Sequence, residues 1–241
     1  MRAARLASLP TIKRLPSYLH VIENAKLDGH QYISGTVIAD ELELEPIQVR
    51  KDLAITGIVG KPRLGFPVQE LIDSIYAFLH WNHDHQAIVV GAGSLATALT
   101  GYGEFPRRGL SIVAAFDVDR KKIGRAINNT PVYSLDEMAE RIPRLGASLA
   151  ILTVPSSCAQ DVAEQVIAAG IRAIWNFTNV KLKVPAGVLV QKEDLSSGYA
   201  VLSVKIRTRH DERDGFDEES DYGQHTGHPT GSAYLGDSRS S

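Results

Sequence analysis

Apolar positions recur with two different periods along this chain, and the change of period divides it. From about Gln86 to Val190, short β-branched runs are separated by stretches of helical period. "AIVVG", "LSIVAAFDVD", "ASLAILTVP" and "IRAIWNF" read as buried strands, and "SLATALTGY" and "SSCAQDVAEQVIAAG" as helices between them. Strands alternating with helices predict an α/β region built on a parallel, doubly wound sheet of Rossmann type. Upstream the period is helical. "LPSYLHVIENAKLDG" has Pro16 in its first turn, an apolar stripe of Leu15, Leu19, Ile22 and Leu27, and Gly29 as its end. "SGTVIADEL" is a short second helix with Ser34 as N-cap. "EPIQVRKDLAITG" is a third; Pro46 starts it, Ile47, Val49 (in part), Leu53 and Ile55 face inward, and Gly57 stops it. "IVGKPRLGF" looks like strand–turn–strand, punctuated by Gly60, Pro62 and Gly65, and "PVQELIDSIYAFLHW" is a fourth helix. Three helices and a small hairpin predict an N-terminal winged helix-turn-helix.

This reading sets expected boundaries. The winged helix takes residues 1–84, the Rossmann-type sheet 85–192, and a C-terminal helix 193–207. Residues 208–241 form a polar tail whose near lack of apolar side chains predicts disorder. With 44% hydrophobic and 22% charged residues among 241, the chain can fill a core. No apolar run approaches a bilayer span, and "MRAARLASLP" lacks the apolar core of a secretory signal. A single cysteine excludes an internal disulfide framework. The expectation is a cytoplasmic protein with no membrane partner. The net charge of −2 averages unlike parts: the tail holds three basic and eight acidic residues, so the rest is net positive by 3. A mildly basic body permits a nucleic-acid partner.

Two stretches carry candidate chemistry. In "VVGAGSLATAL", a G-x-G-x-x-A loop joins a strand to a helix through Gly91, Ala92, Gly93, Ser94, Leu95 and Ala96. Gly91 permits the tight turn, Gly93 lets backbone approach a pyrophosphate, and Ala96 is small enough for close helix–strand packing. The helix dipole beginning near Ser94 favours the anion. Asp117 ends the next strand at the distance expected of an acid that accepts from a ribose 2′-hydroxyl, which favours NAD over NADP, although Arg120 lies nearby. The second stretch is the third helix, with Gln48, Arg50 and Lys51 in the half where base-reading side chains lie. Arg pairs with guanine and Gln with adenine, while Lys61 and Arg63 on the wing would meet phosphates. The alternative is a solvated face with ordinary surface charges. Cys158 could be a redox-sensing thiol, but a packed small residue is the favoured reading. His80, His83 and His85 in "HWNHDH" have no thiolate and no fourth ligand at usual spacing, so they read as an interdomain linker and no metal is expected.

The order of these parts resembles a known family. A winged helix followed by "VVGAGSLATAL" and "AAFDVDRKKIG" is similar to the redox-sensing transcriptional repressors called Rex, as are "IKRLPSYL", "QVRKDL", "ILTVP", "AGIRAIWNF" and "EDL" before a final helix. The resemblance spans about Thr11 to Lys205. It implies a homodimer that binds double-stranded operator DNA when ligand-free or NAD-bound and releases it with NADH. It also implies a final helix exchanged between subunits. Gly91, Gly93, Leu95, Ala96 and Asp117 would hold the NAD(H), with Thr153 and Pro155 near it. Tyr102 and the partner subunit's Asp194 would form a switch pair whose Asp Arg14 claims in one state. The chain departs from the family pattern with "AITG" after the third helix, Phe66 where the wing has tyrosine, and "NFTNV". The competing reading is an NAD-dependent oxidoreductase with an N-terminal helical extension. Against it, no His-Asp or Tyr-x-x-x-Lys set stands out, and little chain is left for a substrate domain, so an enzyme is not expected.

Overall fold

A computed structural model describes residues 7–207; the acidic tail expected over 208–241 lies outside the described residues. One compact unit ends at Lys192 and a second begins at Glu193. Within the first unit, the N-terminal core gathers around α1 (Leu9–Leu27), α2 (Gly35–Glu41), α3 (Pro46–Ala54) and α4 (Val68–Leu79). Ser8 caps α1 by accepting from the Thr11 N–H, and Pro10 sits in its first turn. The helix thus starts earlier than expected, and Pro16 falls inside it, where proline removes a backbone donor. Leu15, Leu19 and Ile22 are fully buried together with Tyr18, but Leu27 is 84% exposed at the helix end, contrary to expectation. Ser34 caps α2 as predicted, accepting from the Val37 N–H at 3.1 Å.

The third helix corrects the expected facing. Its buried face is Val49, Asp52 and Leu53, while Ile47 is 62% exposed. A carboxylate belongs to the inward face, so an apolar count displaced that face by a fraction of a turn. The wing also differs from the expected hairpin. Strand β1 (Tyr32–Ile33) pairs antiparallel with β2 (Phe66–Pro67), and only a single bridge, Lys61 to Gly65, closes the loop before it. Gly65 makes this pairing possible: at φ +94° it lies against β1, where a Cβ would come within 2.4 Å of the Ile33 carbonyl oxygen. Phe66 is buried in this core.

The second core belongs to a seven-stranded sheet. Its elements are β3 (His85–Val90), α5 (Ser94–Thr100), α6 (Glu104–Arg107), β4 (Leu110–Asp117), β5 (Ala126–Ile127), β6 (Thr130–Ser134), α7 (Met138–Leu145), β7 (Leu149–Leu152), α8 (Ala159–Ala168), β8 (Ala173–Asn176) and β9 (Leu189–Lys192). The order is β5-β6-β4-β3-β7-β8-β9, parallel except for β5 against β6. β3 alternates its side chains between two apolar layers: Ile88 and Val90 face one, Ala87 and Val89 the other. Strand order reverses at β3, which lies between β4 and β7. Ligands of such sheets bind outside the carboxyl ends of the strands at this reversal.

In the second unit, residues 196–207 form a helix, α9. Asp194 precedes it, and its Oδ1 accepts from the Ser196 N–H at 2.9 Å and hydroxyl at 2.6 Å. Tyr199, Leu202 and Val204 on this helix are exposed.

Candidate functional site

The turn after β3 is fixed by its neighbours. Gly91 has φ +96°, and a Cβ there would fall 2.9 Å from the Thr153 carbonyl oxygen. Thr153 in turn donates its hydroxyl to the carbonyls of Gly91, at 2.8 Å, and Val90, at 3.1 Å. The end of β7 therefore clamps the glycine turn. A Cβ on Gly93 would meet no atom within 4 Å, so this backbone is open on its outer side. Ala96 is fully buried, packing α5 onto the sheet, as the loop pattern required.

Asp117, at the end of β4, does more than await a ligand. Its Oδ2 accepts from the Ala92 N–H at 2.7 Å and from Lys122 Nζ at 2.9 Å, and its Oδ1 accepts from the Asp119 N–H at 2.8 Å. Burial pushes its carboxyl toward the neutral form, but the Asp119 N–H, Lys122 and the Ala92 N–H outweigh it, and its pKa lies below the usual carboxylate value. A carboxylate has about four acceptor positions. Three are taken here, which leaves one on Oδ1.

Gly91, Gly93, Asp117, Thr153 and Pro155 line a single cleft of about 590 Å³. That is within the usual range for small-molecule sites. Ala92, Ser94 and Leu95 are not part of the lining: Ala92 is buried, Leu95 half-buried and Ser94 exposed. Sequence reading missed Val118, Leu135, Val154 and Lys122, which also line the cleft. Lys122 could have been suspected from its spacing of five residues from Asp117, since a turn between them brings the two together. Cys158 also lines the cleft, its thiol donating to the Pro155 carbonyl at 3.3 Å.

The winged helix holds a groove of about 720 Å³ between Ser34, Thr36 and Arg50 on one side and Lys61 and Arg63 on the other. Arg50 is exposed; its stem lies over Gly35 and its Nε donates to the Pro46 carbonyl at 3.2 Å. Lys61 donates to the Tyr32 hydroxyl at 2.9 Å. The groove thus brings together three of the five side chains expected to face DNA. Lys51 is exposed on α3 outside it. Gln48 is engaged elsewhere: its Nε2 donates to Asp52 Oδ1 at 2.8 Å.

Asp52, which sequence reading did not single out, is the centre of that module. It is 2% exposed and accepts from Thr11 at 3.0 Å, from Tyr18 at 2.7 Å and from both Nε and Nη2 of Arg14, at 2.7 and 3.1 Å. Burial opposes its charge, but Arg14, Tyr18, Thr11 and Gln48 hold its pKa below the usual value. Burial, then the bond to Asp52, pushes Tyr18 up to about 12. Arg14 is therefore held by α3 of its own chain. Tyr102 is 53% exposed, its ring edge-on to Phe105 with centroids 4.9 Å apart.

One further side chain joins the two cores. Arg108, just after α6, is 15% exposed; its Nη2 lies 3.1 Å from Glu104 and 3.6 Å from Glu23 of α1. Its guanidinium stacks 4.8 Å from the Trp81 ring centroid, and Tyr76 of α4 donates to Glu23. Its Nη1 is buried with no hydrogen-bond partner among the described residues.

These features define a class: a winged helix-turn-helix joined to a Rossmann-type sheet with an open glycine turn at its switch point. Comparison with known proteins agrees. A family model described as "Putative DNA-binding protein N-terminus" matches residues 7–54, and one described as "CoA binding domain" matches residues 82–180. A redox-sensing transcriptional repressor Rex from Treponema denticola is 56% identical over 209 residues, which is 87% of this chain and all of the relative. Two crystal structures of the repressor RSP are similar in fold. One, in complex with beta-NADH, has a TM-score of 0.78 at 27% identity, covering 87% of this chain and 98% of that one. The other, with beta-NAD+ and operator DNA, has a TM-score of 0.77 at 28% identity, covering 90% and 99%. The chain belongs to the Rex family of redox-sensing transcriptional repressors, which are repressors rather than enzymes.

Proposed function

We propose that this chain binds operator DNA as a cytoplasmic homodimer and lets it go when NADH enters the β3–β4–β7 cleft, so that it reports the balance of NADH and NAD+. The observation that carries the reading is the presence, in one chain, of an open glycine turn beside a carboxylate with one acceptor left and of a basic groove on a winged helix. No helix of the described residues is long and apolar enough to cross a membrane.

In this reading Gly91, Ala92, Gly93, Ser94, Leu95 and Ala96 form the pyrophosphate turn, and Asp117 takes one ribose hydroxyl through its remaining Oδ1 position. Thr153 keeps the turn in shape and Pro155 borders the nicotinamide side. When bound, the nucleotide supplies no reaction here; it acts through its different affinity for two dimer geometries. Arg50, Lys51, Lys61 and Arg63 meet the DNA. Gln48 serves α3 packing, through Asp52, more than base reading. The C-terminal helix α9 crosses to the other subunit, which covers its exposed Tyr199, Leu202 and Val204. Tyr102 and the partner subunit's Asp194 form one arm of the switch, and Arg14 chooses between that Asp and Asp52. Arg108, whose Nη1 has no hydrogen-bond partner among the described residues, links α6 beside Tyr102 to α1 of the winged helix.

The experiment is an operator-binding titration with each nucleotide. NADH should weaken DNA binding and NAD+ should not. An affinity that ignores both nucleotides contradicts the reading.

A further inference from the structure

We propose that Ile47 reads a thymine methyl group in the operator, making it a specificity-determining residue of α3. The inference rests on the reading of α3 as the DNA-facing helix.

The argument begins with helix geometry. At 100° per residue, the buried side chains Val49, Asp52 and Leu53 share one side of α3. The opposite side carries Arg50, Lys51 and Ala54, all exposed, with Ile47 at its centre, one turn before Lys51. Exposed isoleucine is ordinary when scattered on a surface. Here it stands in the N-terminal turn of a recognition helix, where winged-helix proteins meet base edges. It is flanked by cations that draw it toward a phosphate backbone; of these, Arg50 also lines the groove that holds Lys61 and Arg63.

The polar candidate in the same turn, though exposed, has one of its amide donors taken. Gln48 donates to Asp52 at 2.8 Å, inside a network that also holds Arg14, Thr11 and Tyr18. An aliphatic side chain has no hydrogen bond to offer a base. In the major groove the one apolar feature it can recognise is the C5-methyl of thymine. A branched side chain of this size would strip water from that methyl and discriminate against cytosine, which lacks it.

The test uses duplexes selected from a random pool by the full chain without NADH. Each dT of the selected operator is then replaced by dU, which deletes only the methyl. For the native chain, one position in each half-site should lose about fourfold in affinity, as expected for one methyl group taken out of water. Ile47→Ala should abolish that loss while sparing the effects of dU elsewhere, and Ile47→Val should keep part of it. Because Ile47 is exposed, both variants should unfold at the native temperature, which is checked directly. Indifference of the native chain to every dU, or an equal loss in Ile47→Ala, would overturn the inference while leaving the repressor reading intact. Recovery of no duplex from the pool would defeat the repressor reading and the inference with it.

Discussion

Asp52 and Asp117 are both buried carboxylates with depressed pKa values, one in each core, yet their surroundings differ in what they leave over. Asp52 accepts from Thr11, Tyr18, Gln48 and both ends of the Arg14 fork, so no acceptor position remains. Asp117 accepts from two backbone N–H groups and Lys122, and one position stays open at the edge of a cleft. Saturation makes the first a fastener between α1 and α3. Incompleteness leaves the second able to accept one more donor from the cleft. A buried acid is thus informative only once its donors are counted, because the energetic demand for partners is the same in both cases.

The largest effect should come from breaking the saturated centre. Asp52→Ala leaves Arg14 and Tyr18 without their partner, and is expected to lower stability by about 3 kcal/mol or more, as for a broken buried ion pair, read by urea denaturation. If Asp52→Ala unfolds at the native urea concentration, the fastener role is wrong. Asp117→Ala should act on binding. Loss of a charge-assisted hydrogen bond of about 1.5–3 kcal/mol weakens NADH by roughly tenfold to a hundredfold, measured by nucleotide fluorescence, and DNA release then needs correspondingly more NADH. Unchanged NADH affinity would move the ribose contact to another residue.

Acid should expose both carboxylates together. Their folded pKa values lie below the unfolded carboxylate value, so the unfolded chain binds more protons once pH falls toward about 4. Their contribution is full above that pH and declines below it, through the depressed folded values. Asp52→Asn should flatten this acid limb in urea melts recorded against pH. Tyr18 works in the opposite sense: with its folded pKa at about 12, its contribution is full below the ordinary tyrosine value of about 10 and is lost between the two. Tyr18→Phe should remove that alkaline loss.

Smaller effects belong to the connection between the modules and to the DNA face. Arg108→Met keeps the stem over Trp81 but removes the link between Glu104 and Glu23. It should leave NADH affinity near native and reduce the nucleotide's effect on DNA severalfold; full native coupling would show that Arg108 only packs. Lys61→Ala should lower the salt dependence of DNA binding by about one counterion per subunit without changing sequence preference, as followed by anisotropy across a salt series.

The sheet core and the glycine turn were legible because each rests on local signals. β3, β4, β7 and β8 are apolar runs that pack against helices, and Gly91 sits between a strand and a helix as the loop pattern requires. Elements without such a signal were missed. β5 is two residues long, β6 contains Pro131, and every residue of β9 is exposed. On α3 the polar Asp52 belongs to the inward face, which displaced the expected face and hid Ile47 as an outward side chain. Pairings across long sequence distances were equally invisible: Arg14 with Asp52, and Glu23 with Arg108. Such contacts depend on how helices pack, which local periodicity does not encode.

The central claim is that the cleft and the DNA face are coupled. Coupling is reciprocal, so the factor by which saturating NADH weakens DNA binding must equal the product, over the two clefts of the dimer, of the factors by which DNA weakens NADH binding. Calorimetric titration of NADH into the native dimer, with and without saturating operator, measures the latter factors directly. The account predicts markedly weaker NADH binding in the presence of operator, by factors whose product over the two clefts matches the factor found in the DNA titration. Equal NADH affinity with and without operator would contradict it.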